Sequence, residues 1–166
     1  MTTAEPAEAF RGRVALVTGG SGGIGQAIAL ALAAEGAVVA VHYSRGREAA
    51  DKVVSQIAGQ GGRAVALGAD LSSPTTPGEL VDATEAALGP IDLLISNAGV
   101  GQRRTLEEVT TAEFDETLAV NLRAPFLLAQ RVLPGMRDRG FGRALFMSSV
   151  AGFTGGIVGQ IGRAHV

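Results

Sequence analysis

Cysteine and tryptophan are absent from this 166-residue chain, and histidine occurs only as His42 and His165. Without cysteine there is no disulfide framework and no thiolate metal centre. Two histidines are too few for a multi-histidine zinc site. Charge of one sign is also lacking: 14 basic side chains against 16 acidic ones leave a formal net charge of −2. That balance gives no electrostatic footprint for nucleic acid or for an anionic membrane. No apolar run reaches the ~18 residues that cross a bilayer. Residues Met1 to Phe10 lack the basic start and apolar stretch of a secretory signal, so a cytoplasmic protein is expected. Lysine and tyrosine each occur once, as Lys52 and Tyr43. Any chemistry that pairs a phenol with an ammonium therefore has a single candidate pair.

Glycine is abundant, with 24 residues, about twice its usual ~7% share, and it falls where the apolar patterns stop. The length suits one domain of roughly 100–200 residues. Val14–Val17 reads as a strand, followed by a glycine-rich turn over 19–25. Ile24 to Glu35 has apolar residues at helical spacing and stops at Gly36. Ala37–His42 reads as a second strand, Glu48–Ile57 as a helix and Ala64–Leu67 as a third strand. Pro74 to Gly78 opens a helix that runs to about Leu88. Beyond Gly89-Pro90, Ile91–Ile95 forms a fourth strand. A long helical stretch from about Thr111 to Arg139 contains Pro125 and Pro134, and Arg143–Met147 is a fifth strand. Strands alternating with helices, several of them continuous apolar runs, indicate a doubly wound α/β domain with a parallel sheet.

The turn Thr18-Gly-Gly-Ser-Gly-Gly-Ile-Gly25 lies between the first strand and the first helix. Its glycines at 19, 23 and 25 are spaced one residue wider than the common dinucleotide fingerprint. Alone, such a turn also fits a plain strand-to-helix connection. At the head of a βαβ unit it offers backbone amides and a helix N-terminus to a pyrophosphate.

The Thr-Gly-x-x-x-Gly-Ile-Gly form resembles the short-chain dehydrogenase/reductase family, in its single-domain branch. Asp70 after the third strand, Ser96-Asn-Ala-Gly99 after the fourth, Asn121 in the long helix and Ser148-Ser149 after the fifth extend that resemblance over about residues 10–159. In tone it is similar to 3-oxoacyl-carrier-protein reductase-like members. The resemblance implies a Rossmann-type fold with about five strands present and the C-terminal strands missing. It further implies an oxidoreductase moving hydride between a nicotinamide cofactor and a small ketone or alcohol. Family members commonly form homo-oligomers through the long helix, here 111–139, although assembly of a truncated domain is in doubt.

On the same resemblance, Thr18, Gly19, Ser21, Gly23, Ile24 and Gly25 face the cofactor phosphates. Asp70 and Leu71 meet the adenine. Asn97 braces the central sheet, while Ala98 and Gly99 let the cofactor pass close to the backbone. Ser96 stands where the family usually has asparagine. Asn121 matches the helix asparagine of the catalytic tetrad. In a helix its carbonyl accepts from the amide of residue 125, and Pro125 has no N–H to give. The resemblance assigns that carbonyl the relay water. Ser149 aligns with the serine that hydrogen-bonds the substrate oxygen, and Ser148 with its variable neighbour.

Cofactor choice follows from charge. The segment Val41-His-Tyr-Ser-Arg-Gly-Arg47 has no carboxylate before Glu48 to hold the ribose hydroxyls of NAD. Ser44 and Arg45 suit a 2′-phosphate instead, against the plainer reading of solvated loop arginines. NADP(H) is expected over NAD(H).

The pattern then breaks. The family's tyrosine and lysine belong at positions 162 and 166, where this chain has Gly162 and Val166. Tyr43 and Lys52 lie near the second strand and cannot replace them. The closing residues Ile161–Val166 can be encoded by ATC GGA AGA GCA CAC GTC, which resembles a sequencing-library adapter. Native sequence is therefore expected to end near Gly159, leaving 160–166 as a non-native tail on an incomplete 1–159 domain. Such a fragment is expected to be inactive and poorly packed. The alternative is a non-catalytic NADP-binding or interaction module that lost the pair.

Overall fold

The computed structural model describes residues 9–105, 107–149 and 160–161. Positions 162 and 166 lie outside the described residues. Five strands form a parallel sheet: β1 (Val14–Val17), β2 (Val38–Tyr43), β3 (Arg63–Gly68), β4 (Ile91–Ser96) and, after a short ribbon, β6 (Arg143–Phe146). Their order is β3-β2-β1-β4-β6. The chain therefore runs outward from β1 in one direction, then returns and runs outward in the other. The switch between the two directions lies at β1 and β4, where doubly wound sheets open a crevice beyond the strand ends.

Helices cover both faces. Leu16, Ala40 and Leu94 pack with Leu80 and Val81 of α3 (Thr76–Leu88) and with Leu128, Val132 and Met136 of α5 (Ala124–Asp138). The neighbouring positions Val17, Val39, Val41 and Ile95 point the other way. They meet Ala29 and Ala33 of α1 (Gly23–Ala34), and Val53 and Ile57 of α2 (Arg47–Gly59). Burial on both faces accounts for the unbroken apolar run of β1 and for Leu93–Ile95 within β4. At the end of the sheet, β6 leaves Leu145 and Phe146 50% and 42% exposed.

Two features depart from the sequence reading. Residues 102–103 (β5) and 160–161 (β7) pair antiparallel as a small ribbon; two residues are too few to leave a periodic signal. The long helical stretch is also not one uniform helix. Between α4 (Thr111–Leu118) and α5, residues Ala119–Arg123 form a widened π turn in which the Ala124 amide donates to the Ala119 carbonyl. Pro125 supplies the reason: an α-helical ladder needs an N–H at that position, and the turn just before it is reset. A capping box starts α4, Thr110 and Glu113 satisfying each other's backbone amides. No helix among the described residues is long and apolar enough to cross a membrane.

Candidate functional site

The ends of β1 and β4 are joined through Thr18. Its buried hydroxyl donates to the Ile95 carbonyl at 3.3 Å and accepts the amides of Asn97 and Ala98 at 2.9 and 3.0 Å. Asn97 returns the contact, its side-chain NH₂ donating to the carbonyls of Thr18 and Gly19 at 3.0 and 3.3 Å. These bonds fix the glycine turn against the 97–99 segment. Two glycines are required by the geometry. Gly19 has φ +63°, a conformation that other residues rarely adopt. At Gly25 a Cβ would stand 2.1 Å from the Gly19 carbonyl oxygen and 2.6 Å from the Asn97 amide nitrogen.

A cleft of about 370 Å³ opens above this junction, lined by the turn residues Gly19, Gly22, Gly23 and Ile24, the segment Ser96–Gly99, Asn121, Pro125, and Phe146 to Ser148. At Gly22 and Gly23 a Cβ would meet nothing within 4 Å, so the turn presents bare backbone to the opening. Bare backbone at a helix N-terminus, on the strand-end side of the switch point, suits a dinucleotide pyrophosphate.

The structure thus brings together Gly19, Gly23, Ile24, Asn97, Ala98, Gly99 and Asn121 on one cleft. Thr18 and Gly25 stand behind it as buried supports. Ser21 is half-buried in the turn, and Ser149 is half-buried just beyond Ser148. Ser44, Arg45 and Asp70 lie outside the cleft lining, exposed past the ends of β2 and β3. The Asp70 carboxylate accepts the Ser72 amide at 3.0 Å. That bond and one from the Ser72 side chain hold its pKa below the usual carboxylate value, with the Arg45 charge assisting. Arg45 and Asp70 are therefore electrostatic neighbours. Leu71 turns its side chain into the core. Tyr43 and Lys52 sit on β2 and α2, neither lining the cleft.

Asn121 is held by its side chain. Its carbonyl accepts the Val100 amide at 2.8 Å and its NH₂ donates to the Val100 carbonyl at 2.8 Å. The π turn places it there, as a buried residue lining the cleft.

Sequence reasoning missed Phe146 and Met147 as lining residues, because strand-end side chains carry no motif. It also missed His42. This buried ring accepts the Gly19 amide at Nδ1 (3.0 Å), while Nε2 lies 3.0 Å from the Ala69 carbonyl. No sequence signal marks it, because its partners lie 23 and 27 residues away in the chain.

Comparison with known proteins decides the family. Residues 13–161 match the short chain dehydrogenase family. The chain belongs to that family. Versicolorin reductase 1 of Aspergillus parasiticus is 44% identical over 129 residues, 78% of this chain and 49% of the relative. A hydroxynaphthalene reductase-like protein of Metarhizium robertsii is 39% identical over 153 residues, 92% of this chain and 57% of the relative. The chain thus spans about half the length of the curated relatives it matches. Among solved structures, a blue fluorescent protein from a metagenomic library in complex with NADPH superposes with TM-score 0.85 at 36% identity, covering 93% of this chain and 63% of that one. A 3-oxoacyl (acyl-carrier-protein) reductase from Agrobacterium tumefaciens C58 with NADP bound gives TM-score 0.85 at 36% identity, covering 92% and 58%. The family relationship thus accounts for the five-stranded parallel sheet and for the glycine turn beneath the cleft.

Proposed function

We propose that this chain is the cofactor-binding part of an NADP(H)-dependent reductase acting on a small ketone or alcohol. The observation that carries the reading is the convergence of the glycine turn, the Ser96–Gly99 segment and Asn121 on one cleft at the β1/β4 switch point. The NADPH- and NADP-bound structural neighbours support the cofactor, and the two reductase relatives support the substrate class. Arg45 and Ser44 favour a 2′-phosphate, with no carboxylate between Tyr43 and Arg47 to repel it.

Bound there, the dinucleotide supplies or accepts the hydride. The chain's own residues bind and orient. Turn amides meet the phosphates, and Asp70 takes the exocyclic amine of the adenine. Ser149 donates to the substrate oxygen, and the Asn121 backbone carbonyl holds a relay water while Val100 fixes its side chain. A proton donor to that oxygen is the missing part, because Gly162 and Val166 stand at the family's tyrosine and lysine positions. This 166-residue chain therefore binds cofactor without turnover. The same substitutions favour a second reading, a non-catalytic binding module; keeping both Asn121 and Ser149 favours a broken enzyme. Exposed Phe114, Leu122 and Phe126 on the 111–139 stretch support a homo-oligomer of the complete protein.

The test is a titration with NADPH and with NADH, for the wild type and R45E. The reading expects tighter NADPH binding and a loss of roughly tenfold in R45E that spares NADH. Equal affinities unchanged by R45E would remove the 2′-phosphate assignment. Binding of neither would remove the reading.

A further inference from the structure

His42 stands at the end of β2 with both ring nitrogens engaged. A backbone N–H can only donate, so the Gly19 amide at 3.0 Å requires an unprotonated Nδ1. A carbonyl can only accept, so the Ala69 oxygen at 3.0 Å requires a proton on Nε2. The two contacts together select the neutral ring and one tautomer. They also join two places far apart in sequence. Gly19 opens the phosphate turn, whereas Ala69 immediately precedes Asp70, at the adenine end of the proposed site. The neighbouring backbone reinforces this junction: the Gly20 amide donates to the His42 carbonyl at 2.9 Å, and the Ala69 amide to the Tyr43 carbonyl at 3.0 Å.

We propose that His42 is a positioning residue for the cofactor, its neutral ring locking the phosphate turn to the adenine segment so that both halves of the cradle are set before binding. The proposal rests on the cofactor reading above. Protonation of Nδ1 would replace an acceptor by a donor facing the Gly19 N–H, so the lock opens in acid. Burial favours the neutral ring, lowering its pKa, with the Ala69 contact opposing. The surroundings hold few competing charges. β1 and α1 carry none, α3 on the same face of the sheet carries Glu79, Asp82 and Glu85, Arg45 and Asp70 follow the near ends of β2 and β3, and Arg63 stands at the far end of β3.

The experiment is NADPH binding by the full chain at about pH 7.5 and about pH 5.5, for the wild type, H42N and H42F. Ligand titration cancels, because all three proteins meet the same NADPH. The wild type is expected to weaken more steeply on acidification than H42N, whose side-chain carbonyl accepts without titrating. H42F, which cannot accept, is expected to bind more weakly than H42N at the higher pH. Equal acid weakening in wild type and H42N overturns the proposal and leaves the cofactor reading intact. A wild type that takes no NADPH at the higher pH overturns that reading, and the cofactor half of the proposal with it. The lock itself is judged on the wild type by NMR, which needs no variant to fold. Imidazole ¹⁵N shifts must show a bare Nδ1, and the Gly19 amide must titrate with His42. A Gly19 amide indifferent to that titration overturns it.

Discussion

The side chain of Asn121 and the backbone of Val100 exchange two hydrogen bonds of 2.8 Å each, one in either direction. The contact ties the π turn of the long helix to the loop beyond β4, and both line or border the cleft. Because Asn121 is buried, neither bond is readily replaced by water. Asn121→Ala is therefore expected to cost about 1–3 kcal/mol of stability and to expose the Val100 amide to exchange. Asn121→Asp keeps the acceptor for the amide but sets a carboxylate oxygen against the Val100 carbonyl. Its loss should be largest at neutral pH and partly recovered in acid, where the protonated carboxyl can donate. Denaturant unfolding across pH, with hydrogen exchange at Val100, checks both.

Two glycine substitutions separate close approach from mere flexibility. In Gly25→Ala the new Cβ meets the Gly19 carbonyl oxygen at 2.1 Å, backbone that can yield only by moving the turn. Loss of about 1–3 kcal/mol and of cofactor affinity is expected. In Gly78→Ala, within the first turn of α3, the Cβ meets nothing within 4 Å. That change should raise stability by about 0.4–1 kcal/mol by narrowing the unfolded ensemble. Thermal melts of the two variants should move in opposite directions.

Much of this arrangement was legible in the residues. The alternation of apolar runs gave the strand order its ingredients, and every strand of the main sheet lies within a residue or two of where its pattern places it. Asn97 and Gly25 are named by the family resemblance, and their contacts explain why each position needs its residue type. His42 could not be picked out, because a buried polar side chain at a strand end looks like any other interruption of an apolar run. The ring's importance comes from Gly19 and Ala69, whose proximity exists only after β1, β2 and β3 have paired. The π turn was half legible: Pro125 announced a missing donor, while the widening that answers it depends on tertiary packing.

Asp92 tests how much a nearly buried ion pair contributes here. Its side chain is 11% exposed and lies 3.8 Å from Arg13 and 3.6 Å from Arg139, while also accepting the Val14 amide at 3.4 Å. Asp92→Ala leaves Arg13 and Arg139, 43% and 36% exposed, without their shared carboxylate and the Val14 amide without its side-chain acceptor, with an expected loss of about 1–3 kcal/mol. The Arg131–Asp82 pair is the contrast, with side chains 54% and 59% exposed. Asp82→Ala should cost no more than about 0.5 kcal/mol and vanish in high salt. Unfolding at low and high ionic strength distinguishes them; similar losses at both sites would contradict the burial argument.

Acid should expose the His42 linkage in the stability of the chain itself. A neutral ring is favoured in the fold, so the folded pKa lies below the ordinary 6.5. Above that value both folded and unfolded chains carry a neutral imidazole, and the residue makes no pH-dependent contribution. As pH falls below about 6.5, the unfolded chain takes up the proton first, and stability declines until the folded pKa is passed. The curve therefore bends downward on the acid side of neutrality, in the same direction as the loss expected from protonating carboxylates at lower pH. H42N removes the first bend and leaves the second. Urea midpoints measured in steps from about pH 8 to about pH 5 should show the two proteins converging in acid and separating above it. Parallel curves would mean that the ring takes up its proton equally in folded and unfolded chains, and would remove the linkage.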